Sequence, residues 1–272
     1  MEPAATSAIG SVLLIGCGRM GGALLKGWRD SRLIADAAVV DPASPILPDG
    51  VAWGASLDDI SGDLPDTILL AVKPQMMEAA LIPLRPRLPG GALVISIAAG
   101  TSIAWLSQRL GRDARIVRTM PNTPAAIGRG VTVCCAGPGV DAAARTATDR
   151  LMSAVGETAW IDDEQMMHAV TALSGSGPAY VFLLIEALTD AAIAAGLPAD
   201  LAARLARATV SGSGELVRVS ADAPAKLRAD VTSPGGTTRA ALDVLMAEDG
   251  LARLMRAAVA AAAARSRELA AI

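Results

Sequence analysis

Two short stretches of this sequence carry residue types suited to holding a nucleotide and a small anion. The first is Gly16-Cys17-Gly18-Arg19-Met20-Gly21, followed about twenty residues later by Asp41. In a G-x-G-x-x-G string the first glycine turns the chain, the second lets a pyrophosphate reach the backbone, and the third lets helix and strand pack closely. An acid at the position of Asp41 accepts hydrogen bonds from an adenosine ribose and repels a 2′-phosphate, so it leans toward NADH, although Arg19 could still reach a phosphate. The second stretch is Asp230-Val231-Thr232-Ser233-Pro234-Gly235-Gly236-Thr237-Thr238. Its glycines remove side-chain bulk and permit positive φ. Thr237 and Thr238 offer an N-cap for the helix that follows, and the free N–H groups of that first turn form a seat for a carboxylate or phosphate. Taken alone, this stretch reads equally well as a capped turn before a surface helix.

The elements around these residues alternate. Val12-Leu13-Leu14-Ile15 is a fully apolar run of the kind that makes a buried parallel strand, and a helical segment follows the glycine string. Further strands are expected at 38–40, 66–72, 92–97, 115–118, 130–135 and 157–160, with a helix over about 141–155. The turns after them carry Lys73-Pro74-Gln75, Ala98-Ala99-Gly100-Thr101 and Thr119-Met120-Pro121-Asn122-Thr123-Pro124. In an open α/β sheet such turns line one crevice beyond the carboxyl ends of the strands. Lys73, one of three lysines, is either part of that crevice or a solvated strand end.

Beyond Trp160 the pattern becomes helical. Residues 164–173 read as a helix interrupted by Ser174-Gly175-Ser176-Gly177-Pro178, and a helix over about 179–195 ends at a Gly196-Leu197-Pro198 stop. Helices near 200–219 and from Pro224 follow, and Gly250 divides the last two. The helix from Ala179 is apolar on nearly every side, so it needs cover from most directions, and a second subunit is the expected source. His168 reads as a structural residue.

The fold class expected is thus α/β: an N-terminal Rossmann-type doubly wound sheet, residues 1–161 with about 1–10 disordered, followed by an all-α dimerisation domain, residues 162–272. The 272 residues are enough for two cores. With 52% hydrophobic but only 2% aromatic residues, the core is aliphatic; one Tyr and one Phe leave no stacking platform for bases. A net charge of −3 argues against nucleic-acid or anionic-membrane partners. Three cysteines, Cys17, Cys134 and Cys135, make no disulfide framework and suit the cytoplasm, and a single histidine excludes the usual zinc site.

Over nearly its full length, from Val12 to the last helix, the chain resembles the pyrroline-5-carboxylate reductases. The resemblance rests on the ordered set 16–21, Ala71-Val72-Lys73-Pro74-Gln75, Ser96-Ile97-Ala98-Ala99-Gly100, Arg118-Thr119-Met120-Pro121-Asn122-Thr123-Pro124, Ala172-Leu173-Ser174-Gly175-Ser176-Gly177-Pro178-Ala179-Tyr180, and 231–238. It implies reduction of the cyclic imine L-1-pyrroline-5-carboxylate to L-proline by NADPH or NADH. It also implies a homodimer with interlocked helical domains, assembled in some members into larger rings such as a decamer. Cofactor contacts are implied for Gly16, Cys17, Gly18, Arg19, Met20, Gly21, Asp41, Ser56, Ala71, Val72, Lys73, Pro74, Ala98, Ala99, Gly100 and Asn122. The substrate carboxylate is implied to sit on the backbone of Ser233, Gly235, Gly236 and Thr237, with Met120 and Val231 against its ring and the Thr238 hydroxyl on its nitrogen as the catalytic contact. One departure stands out: members preferring NADPH usually carry Ser, Asn or Arg-type residues where this chain has Asp41-Pro42. A β-hydroxyacid dehydrogenase shares the layout but resembles its relatives in using a lysine on the first long interdomain helix; residues 175–195 contain none. A nucleotide-sensing binding protein without turnover is disfavoured by the intact 232–238 loop.

Overall fold

The computed structural model describes residues 9–270. Strand β1 (Val12–Ile15) leads into α1 (Arg19–Asp30), followed by β2 (Ala37–Val40) and β3 (Ala52–Gly54). Next come β4 (Thr67–Leu70), α2 (Met77–Leu84), β5 (Leu93–Ser96), α3 (Ile103–Leu110) and β6 (Arg115–Met120). The sheet finishes with β7 (Gly130–Ala136), α4 (Ala142–Ser153) and β8 (Gly156–Ile161). The eight strands form one sheet in the order β3-β2-β1-β4-β5-β6-β7-β8. All neighbours are parallel except the β6–β7 pair, which is antiparallel. The order reverses between β1 and β4, which creates the switch-point crevice of a doubly wound sheet.

Both faces of the sheet are covered, and the strand sequences show why. Leu13 and Ile15 belong to one buried cluster with Ile68, Leu70, Met77, Leu84 and Leu106. Val12 and Leu14 point the other way, into a cluster with Leu24, Leu25, Trp28, Leu69 and Leu151. A strand buried on both faces needs an unbroken apolar run, as β1 has. On α1 the buried positions are Gly21, Leu24, Leu25 and Trp28, a stripe at helical spacing. The indole of Trp28 donates to the Leu151 carbonyl of α4 at 2.7 Å, so the largest buried side chain keeps its polar atom satisfied.

After β8 the chain is helical. A 3₁₀ turn (Glu164–Met166) runs into α5 (Met167–Val170) and a π turn (Thr171–Gly175). Then follow α6 (Gly177–Ala194), α7 (Ala199–Val219), α8 (Pro224–Asp230), α9 (Thr237–Leu245) and α10 (Leu251–Ala270). By its contacts the chain divides into two compact units, one running to Gly175 and resuming at Ala263, the other Ser176–Ala262. In the second unit α6 ends as its sequence requires. Gly196 sits at φ +100° and donates to Ile193, while Leu197 donates to Ala192, a Schellman closure.

Several local expectations are sharpened or corrected. The interruption expected over 174–178 is narrower than the motif: the helical run from 164 continues through Gly175 as a π turn and bends at Ser176. The Thr171 and Ser174 hydroxyls donate to the Met167 and Val170 carbonyls, so the widened turn keeps these acceptors satisfied. The cap of α9 is Gly236, not Thr237 or Thr238, which are already its first helical residues. Strand β3 has no counterpart among the expected elements, because an edge strand of Ala-Trp-Gly with two exposed residues has no apolar run to betray it. Of the terminal segment expected to be disordered, residues 1–8 lie outside the described residues, whereas Ile9 already pairs with Ile34.

Candidate functional site

The glycine string lies at the switch point, and each glycine has its own geometric reason. Gly16 adopts φ +90°, and a Cβ there would stand 2.8 Å from the backbone carbonyl carbon of Ala71. A Cβ on Gly21 would strike the Gly16 carbonyl oxygen, so this residue sets how closely α1 begins against β1. Gly18 is the opposite case: nothing stands within 4 Å of where its side chain would be. A cradle that is tight behind and open in front fits a pyrophosphate approaching the start of α1, whose first turn has no side-chain cap.

Asp41 stands beside the loop, held by it. Its Oδ2 accepts from the Cys17 N–H at 2.6 Å and its Oδ1 from the Ala43 N–H at 2.8 Å. The carboxylate is therefore fixed in direction and retains lone pairs for a ribose. Burial, and next the Asp41 charge, push the Cys17 thiol up from its ordinary value, which favours the neutral thiol over the thiolate.

Gly16, Gly18, Asp41, Ser56, Ala71, Val72 and Lys73 line one cleft of about 440 Å³. Its other walls, unforeseen from the sequence, include Pro42, Ala43, Met76, Ala79 and Pro83, an apolar surface from α2, the turn before it and the turn after β2. Ser56 caps a 3₁₀ turn, with its N–H and hydroxyl both on Asp59, and these bonds hold the Asp59 carboxyl below its ordinary range. Lys73 is exposed at the strand end, with Pro74 opening the next turn. Cys17, Arg19, Met20, Gly21 and Pro74 do not line the cleft itself; Cys17 and Pro74 belong to its framing turns, and Arg19, Met20 and Gly21 to the first turn of α1.

Ala98, Ala99, Gly100, Met120 and Asn122 fall at the neighbouring ends of β5 and β6. Ser96 shapes the first of these turns: its Oγ accepts from the Ala98 N–H at 3.3 Å, and its carbonyl accepts from the Thr119 hydroxyl at 3.1 Å. Gly100 sits at φ +79° with the end of α10 alongside, the Leu269 carbonyl oxygen 3.5 Å from the position of a Cβ. Asn122 is engaged at both ends of its amide, donating to the Ser174 carbonyl at 3.2 Å and accepting from the Val131 N–H at 2.9 Å. Met120 reaches over the π turn, and its terminal carbon lies 2.5 Å from where a Cβ on Gly175 would stand.

The second stretch lies in the other unit. Ser233, Pro234, Gly235 and Gly236 make a tight turn in which the Gly236 N–H donates to the Ser233 carbonyl and Gly235 takes φ +66°. Pro at the second position and a left-handed Gly at the third is the type II pattern. Thr232 closes the end of α8 by donating to the Arg228 carbonyl at 2.6 Å. No side chain caps α9. Its first-turn N–H groups, those of Thr237 and Thr238 among them, thus point out of the helix as donors for an anion. Val231 is exposed and Thr238 half-buried.

Sequence reasoning missed a buried polar cluster behind the β5 and β6 turns. Arg118 is 4% exposed and its guanidinium meets Glu164 Oε1 at 2.7 Å. The same oxygen accepts from the Ile103 N–H at 2.9 Å. His168, also buried, shares a 3.0 Å hydrogen bond with Ser266 of α10. Only the place of Arg118 directly after the apolar pair Ile116-Val117 hinted at a buried partner, and nothing local named Glu164. Cys134 is fully buried, with its thiol pushed up to about 12 by burial first, in keeping with an inert structural residue. Among the described residues no group of three or more metal-ligating side chains converges.

Comparison with known proteins bears on the whole chain. Residues 164–269 match the family model described as pyrroline-5-carboxylate reductase dimerisation. The pyrroline-5-carboxylate reductase of Pseudomonas aeruginosa is 40% identical over 265 residues, covering 95% of this chain and 96% of its own. Among solved structures, a pyrroline-5-carboxylate reductase from Coxiella burnetii superposes with a TM-score of 0.86 at 33% identity, covering 95% and 97% of the two chains. The Plasmodium falciparum pyrroline carboxylate reductase, solved with NADP bound, superposes with a TM-score of 0.81 at 30% identity, covering 96% and 98%.

Proposed function

The chain belongs to the pyrroline-5-carboxylate reductase family, and we infer from that membership and its crevice that it reduces L-1-pyrroline-5-carboxylate to L-proline, the last step of proline biosynthesis. The observation that carries this reading is the open glycine turn at the switch point, with the fixed Asp41 carboxylate beside it. A nicotinamide dinucleotide bound there supplies the hydride. Gly16, Gly18 and the start of α1 would hold its pyrophosphate, and Asp41 its adenosine ribose. Turns 71–74 and 98–100 would flank the remainder, with Ser56 and Asn122 at the edges.

The protein's own part in the reaction is to bind, orient and exclude water, because an imine carbon needs no strong acid or base to accept a hydride. In our reading the uncapped first turn of α9, with Ser233, Gly235, Gly236 and Thr237, seats the substrate carboxylate. The Thr238 hydroxyl bonds the ring nitrogen, and Met120 and Val231 pack on the ring. Thr238→Ala is expected to lower kcat by about 10²-fold, the scale seen when a positioned polar contact to the reacting centre is removed, with cofactor affinity unchanged. An unchanged kcat with the imine removes Thr238 from the mechanism.

We further propose a preference for NADH. Both Asp41 oxygens are already oriented by backbone N–H groups, so the charge cannot turn away from a 2′-phosphate. Steady-state kinetics with both cofactors tests this, and a kcat/KM favouring NADPH by about tenfold, or 1.4 kcal/mol, overturns it. The functional unit in this proposal is a homodimer with interlocked helical domains, either on its own or as the building block of a decamer. Residues 164–194 form a helical run long and apolar enough to cross a membrane by length and composition alone. The match of this run to a dimerisation model supports a partner subunit, not lipid, as its cover. The three unpaired cysteines support a cytoplasmic setting.

A further inference from the structure

The Arg118–Glu164 pair lies within the unit that carries the nucleotide crevice, and its connections are unusual. Arg118 is two residues before Met120 on β6, registered against Ser96 of β5. Ile103 is the first residue of α3, three positions beyond Gly100. Glu164 opens the helical run that leads through the π turn to Ser174, the acceptor of Asn122. A single carboxylate oxygen, Oε1, receives both the Arg118 guanidinium and the Ile103 N–H. We propose that Glu164 is a positioning residue for the reduction, clasping the strand that ends at Met120 to the helix start that follows the 98–100 turn.

The inference rests on the reading above, in which 98–100 flanks the cofactor and Met120 the substrate. Hydride transfer requires those two surfaces to face each other at a fixed separation, and a displacement of about 1 Å costs on the order of 10²-fold in rate. The turn at 98–100 has a left-handed glycine and small residues, and its own side-chain tie is the single Ser96 Oγ bond to the Ala98 N–H. Ser102 already caps α3 by accepting from the Trp105 N–H at 3.1 Å, which anchors the helix to its own loop. Glu164 adds the anchor to the neighbouring strand. Its charge is matched on both sides: the guanidinium makes a charge-assisted bond, and the first N–H of α3 carries the positive end of the helix dipole. Because the guanidinium is buried, no water takes the place of the carboxylate without a loss.

The test uses the full-length protein and the variants Glu164→Ala and Glu164→Gln. Three quantities are read: melting temperature, amide hydrogen exchange without cofactor, and the single-turnover rate of cofactor oxidation on mixing with the imine. Positioning predicts that Glu164→Ala slows the single-turnover rate of the folded enzyme by about ten- to a hundredfold. Cofactor KM should change less than the rate does. Exchange should rise at 101–105 while the 67–70 strand stays protected. Glu164→Gln keeps an acceptor at the same atom without the charge, so it should lose about threefold and show the same exchange pattern to a smaller degree. If Glu164→Ala does not fold, the glutamine variant carries the test. Variants that only melt earlier, with wild-type turnover rate and exchange at 101–105, overturn the proposal. Failure of the wild-type protein to oxidise cofactor with the imine would instead strike the functional reading.

Discussion

At the scale of single residues, the glycines separate by what a methyl group would meet. A Cβ on Gly21 meets the Gly16 backbone oxygen, which cannot yield, whereas one on Gly175 meets the far end of Met120, which can. Gly21→Ala is therefore expected to abolish cofactor binding, read as loss of fluorescence enhancement in an NADH titration. Gly175→Ala should leave the melting temperature nearly unchanged, since alanine favours helical backbone by about 1 kcal/mol over glycine and offsets part of the strain. Its effect should fall on the substrate: Met120 is pushed aside, and kcat/KM for the imine should drop by about tenfold with little change for the cofactor. Equal losses for both substrates would show that Met120 does not face the imine. Both glycines were legible in the sequence as parts of motifs. Their different tolerances were not, because each depends on an atom far away in the chain.

At the scale of elements, the helical run from 164 to 175 is held to the sheet unit by polar ties. Asn122 holds the π turn, Glu164 the first turn, and His168 meets Ser266 from the last helix. Burial first, then the Arg118 and Arg267 charges, lower the His168 pKa from its ordinary 6.5, with Glu164 acting weakly the other way. The folded state thus binds its proton less readily than the unfolded chain. This contribution to stability is intact above pH 6.5 and is lost as pH falls from there toward the depressed folded value. Melting temperature should accordingly decline on acidification below pH 6.5, and His168→Gln should flatten that limb. A His168→Gln curve as steep as wild type would assign the decline elsewhere. The carboxylates with lowered values, Asp59 and Asp141, start from 3.8 and destabilise only in a separate, more acid window. From sequence His168 read as structural, and its buried position agrees. Its partner was not legible, since Ser266 lies 98 residues away.

At the scale of the whole molecule, the sheet unit has two buried cores, while α6 has no buried residue within the single chain. Phe182 and Leu183 are 59% and 62% exposed, an apolar surface of a kind that marks an interface. If the proposed dimer forms through this face, Leu183→Glu is expected to give a monomer in sedimentation experiments and to lower the melting temperature, because association contributes to apparent stability by mass action. A variant that sediments as wild type would place the interface elsewhere on the helical unit. This face could be read from the sequence, since a helix apolar on all sides cannot be left uncovered. The doubly wound sheet was equally legible, because apolar runs of strand length alternating with helical stripes leave few other folds, and the glycine string with Asp41 named its ligand class. What the sequence by itself determined is whatever depends on local periodicity and backbone freedom: strand and helix type, the place of the glycine turns, the helix stops. What only the tertiary structure decided is whatever depends on chain returning from a distance. That includes the fixing of Asp41 by the Cys17 N–H, Glu164 shared between β6 and α3, Met120 laid over Gly175, and the small edge strand whose pairing comes entirely from its neighbour. Hydrogen bonds and close approaches of that kind join residues by position in space, and no spacing along the chain encodes them.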